Sequence, residues 1–155
     1  MPLLWIVLLS AWLGAAVLAS AVVAPAAFAV LPTRTLAGAL VGRVLPVLFW
    51  AGIALGLLLA FIARTITAGY FGSAVSVAFM AACGAAQLVI APRIEAVRMS
   101  IGGPVDALDP ADPRRQLFGK LHGLSVLCLG VAGIAALVVL LVLIRSSAQS
   151  NSATT

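Results

Sequence analysis

His122, Ser125 and Cys128 follow one another at steps of three in the run Phe118-Gly119-Lys120-Leu121-His122-Gly123-Leu124-Ser125-Val126-Leu127-Cys128. On a helix that spacing sets an imidazole, a hydroxyl and a thiol along one face. His122 is the only histidine of the chain, and imidazole is the side chain type that titrates nearest neutrality. A second set, Ser73, Ser76, Met80, Cys83 and Gln87, alternates steps of three and four and forms a narrow seam on its own helix. Thiols, thioethers and imidazoles are the ligands that soft metal ions select, which makes Met80, Cys83 and Cys128 the candidate metal ligands. His122, Ser125, Gln87 and Glu95 are the candidates for a ligand or ion pathway. The plainer reading of both seams is interhelical hydrogen bonding with sulfur as packing material. No Cys-x-x-Cys, His-x-x-x-His or Met-x-x-Met spacing occurs, and no nucleophile–base–acid set, phosphate loop or nucleic-acid patch is visible. No residue is assigned a catalytic role, and the reading leans away from an enzyme.

The elements that must position these groups follow from composition. Of 155 residues, 64% are hydrophobic and only 8% charged, with a mean hydropathy of +1.24. Soluble chains carry roughly a quarter charged residues, so the solvent for most of this surface is lipid. Four apolar segments are long enough to span it: about 3–31, 44–63, 70–91 and 121–144, the last entered by a helix that begins near 113 and ends near 145. The fold expected is an all-α integral membrane protein, a four-transmembrane-helix bundle over residues 1–146, with 147–155 a disordered polar tail. Ala19-Ser20-Ala21 resembles a signal-peptide cleavage site, yet no Lys or Arg precedes the apolar run and the run continues past the site. It is read as a true span.

Charge sets the expected orientation. The first and third connections carry Arg34, Arg43, Arg93, Arg98, Arg114, Arg115 and Lys120, whereas the opposite side carries Arg64 and Arg145. The positive-inside bias then places both connections in the cytoplasm and both termini on the extracytoplasmic side, in a bacterial inner membrane. Asp112-Pro113 reads as an N-cap and first helical residue. Arg114, Arg115 and Lys120 then lie among anionic headgroups, each contributing about 1 kcal/mol. Asp106, Asp109 and Asp112 lack the ligand pattern of an EF-hand and read as a solvated, helix-capping loop. Glu95 stands three before Arg98, the spacing of a helical ion pair; its other reading is a cation or proton acceptor at the mouth of the bundle. Arg43 and Arg64 are read as snorkelling from the ends of the second span, and Trp5, Trp12 and Trp50 as interface anchors or bundle packing.

Gly38-x-x-x-Gly42, Gly52-x-x-x-Gly56 and Ala16-x-x-x-Ser20-x-x-x-Ala24 mark close-packing faces. At 1.5 Å per residue Cys83 and Cys128 both fall about 10–12 Å below the basic boundary. Pro25, which leaves the Ala21 carbonyl without its usual donor, and the indole of Trp50 fall near that level.

Several stretches together resemble one family. They are Trp12-Leu13-Gly14 leading to Val23-Ala24-Pro25-Ala26-Ala27-Phe28, Ala37-Gly38 with Gly42-Arg43-Val44-Leu45-Pro46 before Trp50, Pro92-Arg93-Ile94-Glu95-Ala96-Val97-Arg98, and Phe118-x-x-x-His122-x-x-Ser125. The set resembles the transmembrane protein 205-like family of small four-helix membrane proteins over roughly residues 10–145. The resemblance implies the architecture and, loosely, tolerance to thiophilic metal compounds. The leading expectation is a membrane module that binds or passes a small ligand or soft metal ion through its polar seam, with His122 at the mouth. A structural or assembly subunit of a larger membrane complex, self-associated or with another membrane protein, is the second. A haem-linked oxidoreductase is the third; no cofactor is required by the residues.

Overall fold

The computed structural model describes residues 2–63 and 69–152. Four composite helices fill it, and no strand occurs among the described residues. In lipid a chain must satisfy its backbone groups internally, and a helix does so within one segment. The first span consists of α1 (Pro2–Leu18), a π-helical stretch (Ala19–Val23) and α2 (Ala24–Val30). The second is α3 (Arg34–Ala63). The third joins α4 (Gly69–Gly84), a second π-helical stretch (Ala85–Ile90) and α5 (Ala91–Ile101). After a short 3-10 turn at Val105–Ala107, the fourth is α6 (Pro113–Ser152). All four are long and apolar enough to cross a membrane.

The helices outrun the apolar stretches that announced them. The second starts at Arg34 rather than near residue 44, because the Thr33 hydroxyl accepts the Leu36 N–H at 3.2 Å and caps it there. The third continues past residue 91 to Ile101, where Gly102 takes a left-handed conformation (φ 67°) that closes the helix. The fourth runs to Ser152, so the tail expected to be disordered from 147 is helical as far as it is described. Extending an established helix fixes one residue per added hydrogen bond, and no Gly or Pro intervenes to stop it. Its start is as expected: the Asp112 carboxylate accepts the Arg114 N–H at 2.8 Å and Pro113 is the first helical residue. Arg64 lies outside the described residues.

Away from the basic connections the four helices pack as a ring. The first span neighbours the second and fourth, and α4 packs closely on both α3 and α6. Gly52 and Gly56 permit that approach: a Cβ on Gly56 would lie 2.8 Å from Met80 Cβ and 3.1 Å from Met80 Cα, and one on Gly52 would meet Cys83 Sγ and the Trp12 ring. Trp12 fills the centre. Its indole N–H donates to the Leu48 carbonyl at 2.9 Å, and its ring meets Phe79 edge-on at 4.8 Å. The interior indole is therefore that of Trp12; Trp50 faces outward, 53% exposed. On the first span the buried line runs through Trp5, Leu9, Trp12, Ala16 and Ala19, whereas Ser20 is exposed and bonds back to the Ala16 carbonyl at 2.8 Å.

Towards the basic end the ring opens. Each π-helical stretch ends two residues before a proline, Pro25 or Pro92. A proline cannot donate to the carbonyl four residues back, and its ring crowds that carbonyl. Widening the preceding turn accommodates this, with Ala24 N–H donating to Ala19 O and Ala91 N–H to Ala86 O, each five residues back. Beyond these points α2 stays with α3 but no longer packs closely on α6, and α5 stays with α6 but no longer packs closely on α3. The bundle thus divides into two helix pairs.

Candidate functional site

Between the two pairs lies a cleft of about 450 Å³. One wall is α3, through Gly38, Gly42, Leu45, Pro46 and Phe49, with Phe28 of α2 beside it. The other is α5 and α6, through Ile94, Glu95, Arg98, Phe118, His122 and Ser125. Gln87, in the second π-helical stretch, reaches the cleft from the closed half. Gly38, Gly42 and Gly119 have no atom within 4 Å of where a Cβ would stand. The first glycine pair was expected to mark a packing face. It forms an open wall instead, because the splay has carried its neighbours away. The second pair packs as expected.

All four residues singled out as a ligand or ion pathway, His122, Ser125, Gln87 and Glu95, line this one cleft. Ser125 is buried, and the Gln87 amide oxygen is buried with no hydrogen-bond partner. An unsatisfied acceptor of that kind costs about 1–3 kcal/mol unless something donates to it. His122 is exposed at the edge, its ring parallel to Phe118 with centroids 6.4 Å apart. Glu95 and Arg98 make the expected ion pair at 3.7 Å, both side chains substantially exposed, a setting in which such pairs contribute little to stability.

The loop of residues 102–112 roofs part of the cleft, contributing Gly103, Val105 and Asp106, and its 3-10 turn reaches α3. Two of the expected headgroup ligands are engaged with this loop. Arg115 donates to the Leu108 carbonyl at 2.6 Å and also lines the cleft. Arg114 pairs with Asp112 at 2.9 Å and reaches the Ser100 carbonyl at 3.4 Å. The Arg114 hydrogen bonds hold the Asp112 carboxyl below its ordinary titration range. Lys120 is exposed. The Asp109 carboxylate closes a turn on the Ala111 N–H at 2.7 Å, in keeping with a capping loop.

The sulfur atoms sit elsewhere. Met80 packs over Gly56, Cys83 is fully buried against Gly52, and Cys128 is half-buried against the same core. None of the three lines the cleft. Among the described residues no group of three or more His, Cys, Asp and Glu side chains is placed to hold a metal ion. Sequence reasoning missed Phe28, Arg34, Gly38 and Gly42 as cleft residues. The available signal was the pair of prolines, each inside a long apolar helix.

Fold and cleft together define a four-helix membrane protein with a ligand-sized space at its basic end. The chain belongs to the family described as Domain of unknown function (DUF4149), whose model matches residues 7–102. That match takes in the first three spans, with Gly38, Gly42, Gln87, Glu95 and Arg98, and ends before α6 supplies His122 and Ser125. No curated protein and no solved structure matches the chain.

Proposed function

We propose that this protein binds a small organic ligand in the cleft between its two helix pairs. The observation that carries the reading is a space walled by open glycine backbone on which Gln87, its amide oxygen buried without a partner, converges with Ser125 and His122. Cavities of a few hundred Å³, mostly apolar with a few convergent polar groups, are the usual form of small-molecule sites. The Gln87 amide, Ser125 and the His122 ring are the polar groups that converge there, and the last two can each donate or accept. The resemblance to the transmembrane protein 205-like family would favour a thiophilic metal. A metal site would need the sulfur ligands beside His122, and Met80, Cys83 and Cys128 belong to the core instead, so we favour an organic ligand. The basic end is taken as cytoplasmic by the positive-inside bias, with Lys120 available to anionic headgroups.

The test is native mass spectrometry of protein released from mild detergent, comparing the natural chain with Gly42→Leu and Gly38→Leu. Either leucine enters open space and gains about 0.8–1 kcal/mol of helix propensity, so both variants should fold. A bound small molecule retained by the natural chain and lost from the variants is expected. Identical spectra for all three would contradict the reading, and a sulfur-dependent metal mass in place of an organic one would return the soft-metal alternative.

A further inference from the structure

We infer that the ligand is a single-chain amphiphile with an anionic head, admitted sideways from the bilayer between α2 and α6. This rests on the ligand reading above and adds its chemistry and its route. The route follows from the packing. The first span lies against α6 along Pro2–Leu18, but Ala24–Val30 does not pack closely on it. The edges of this gap are Phe28, 48% exposed, and the exposed ring of His122, and both also line the cleft. On the other side the Val105–Ala107 turn packs on α3 and puts Val105 and Asp106 at the cleft. That side is partly roofed, whereas no comparably close packing joins α2 to α6. A polar ring on a lipid-facing edge is costly in hydrocarbon, and it is well placed beside the path of a headgroup.

The chemistry follows from the lining. Arg34, Arg98 and Arg115 line the cleft with Glu95 and Asp106, three cations and two anions, for a net charge of one positive before His122 is counted. Guanidinium groups bind phosphate in bidentate fashion. Towards the closed half the surface turns apolar through Leu45 and Phe49. An anion at the arginines and a chain leaving past Phe28 into lipid satisfy both surfaces together.

Binding to the purified full chain in nonionic detergent separates the possibilities. The probes are oleoyl lysophosphatidate, uncharged monooleoylglycerol and inorganic phosphate. Lysophosphatidate is expected to bind about tenfold or more tightly than monooleoylglycerol, the margin of one charge-assisted hydrogen bond. Arg34→Gln with Arg98→Gln should remove that difference, Gly42→Leu should abolish binding of both lipids, and phosphate should not displace lysophosphatidate. Equal binding of the two lipids overturns the anionic head, and displacement by phosphate overturns the amphiphile. In either case a Gly42→Leu-sensitive bound molecule leaves the ligand site standing. Lipid binding that Gly42→Leu leaves unchanged overturns this inference, and the ligand site fails separately if the retained-molecule comparison is also unchanged.

Discussion

The two ends of this bundle are built from the same kind of residue and do opposite things. In the closed half Gly52 and Gly56 bring α3 against α4, and Trp12 locks the centre through the Leu48 carbonyl. At the basic end Gly38 and Gly42, on the same helix and at the same spacing, face empty space. The difference lies in the partners. Pro25 and Pro92 follow widened turns that lead α2 and α5 away from helices their own spans pack against below. A small-residue pair therefore makes a seam where the neighbours stay straight and a cleft where they turn aside.

Substituting the two glycine pairs breaks the comparison most sharply. Gly56→Leu must displace the Met80 backbone and should cost about 1–3 kcal/mol or more, whereas Gly42→Leu should be neutral or stabilising. Reversible unfolding in mixed micelles measures both; equal losses would mean that the basic end is as tightly packed as the other. Next in size is Gln87→Leu. Removing the buried, partnerless amide oxygen should raise stability by about 1 kcal/mol while weakening retention of the bound molecule. A destabilised variant would assign Gln87 to the scaffold.

A similar or smaller effect belongs to the closed half. Trp12→Phe keeps an aromatic ring beside Phe79 but loses the donor to Leu48, and should cost about 1 kcal/mol without altering ligand retention. A drop in retention equal to that of Gln87→Leu would show that the halves are coupled. Acidification should do least. The Asp112 carboxyl is held low by Arg114, so its contribution to the loop is complete above the ordinary aspartate range, about pH 4. It is lost as pH falls through the lower folded value. The natural chain should melt above Asp112→Asn by a steady margin from pH 7 to about pH 4, and the two should converge below it; a margin that changes near neutrality would place the pH response elsewhere.

Much of the closed half was legible in the sequence. The seam Ser76, Met80, Cys83 turns inward because a hydroxyl is costly in lipid and the helical period carries the two sulfur side chains onto the same face. The meeting of His122, Ser125, Gln87 and Glu95 was partly legible, since each lies on a polar line near one boundary. The cleft itself was not. Gly38-x-x-x-Gly42 reads the same as Gly52-x-x-x-Gly56, and only the paths of α2 and α5 distinguish them. Helix ends were also hidden, because hydropathy stops at the first charges while Thr33 and Gly102 set the true limits. Trp50 shares the level of the two thiols yet faces outward, because depth along a helix says nothing about which way a side chain points.

The most direct measurement of the difference between the halves is cysteine accessibility. In a chain carrying Cys83→Ala and Cys128→Ala and stripped of bound molecules by detergent exchange, Gly42→Cys should react rapidly with a water-soluble methanethiosulfonate. Ala132→Cys, at a fully buried position of the closed half, should stay unlabelled. Equal labelling of the two positions, or a Gly42→Cys thiol that does not react, would contradict an open cleft at the basic end.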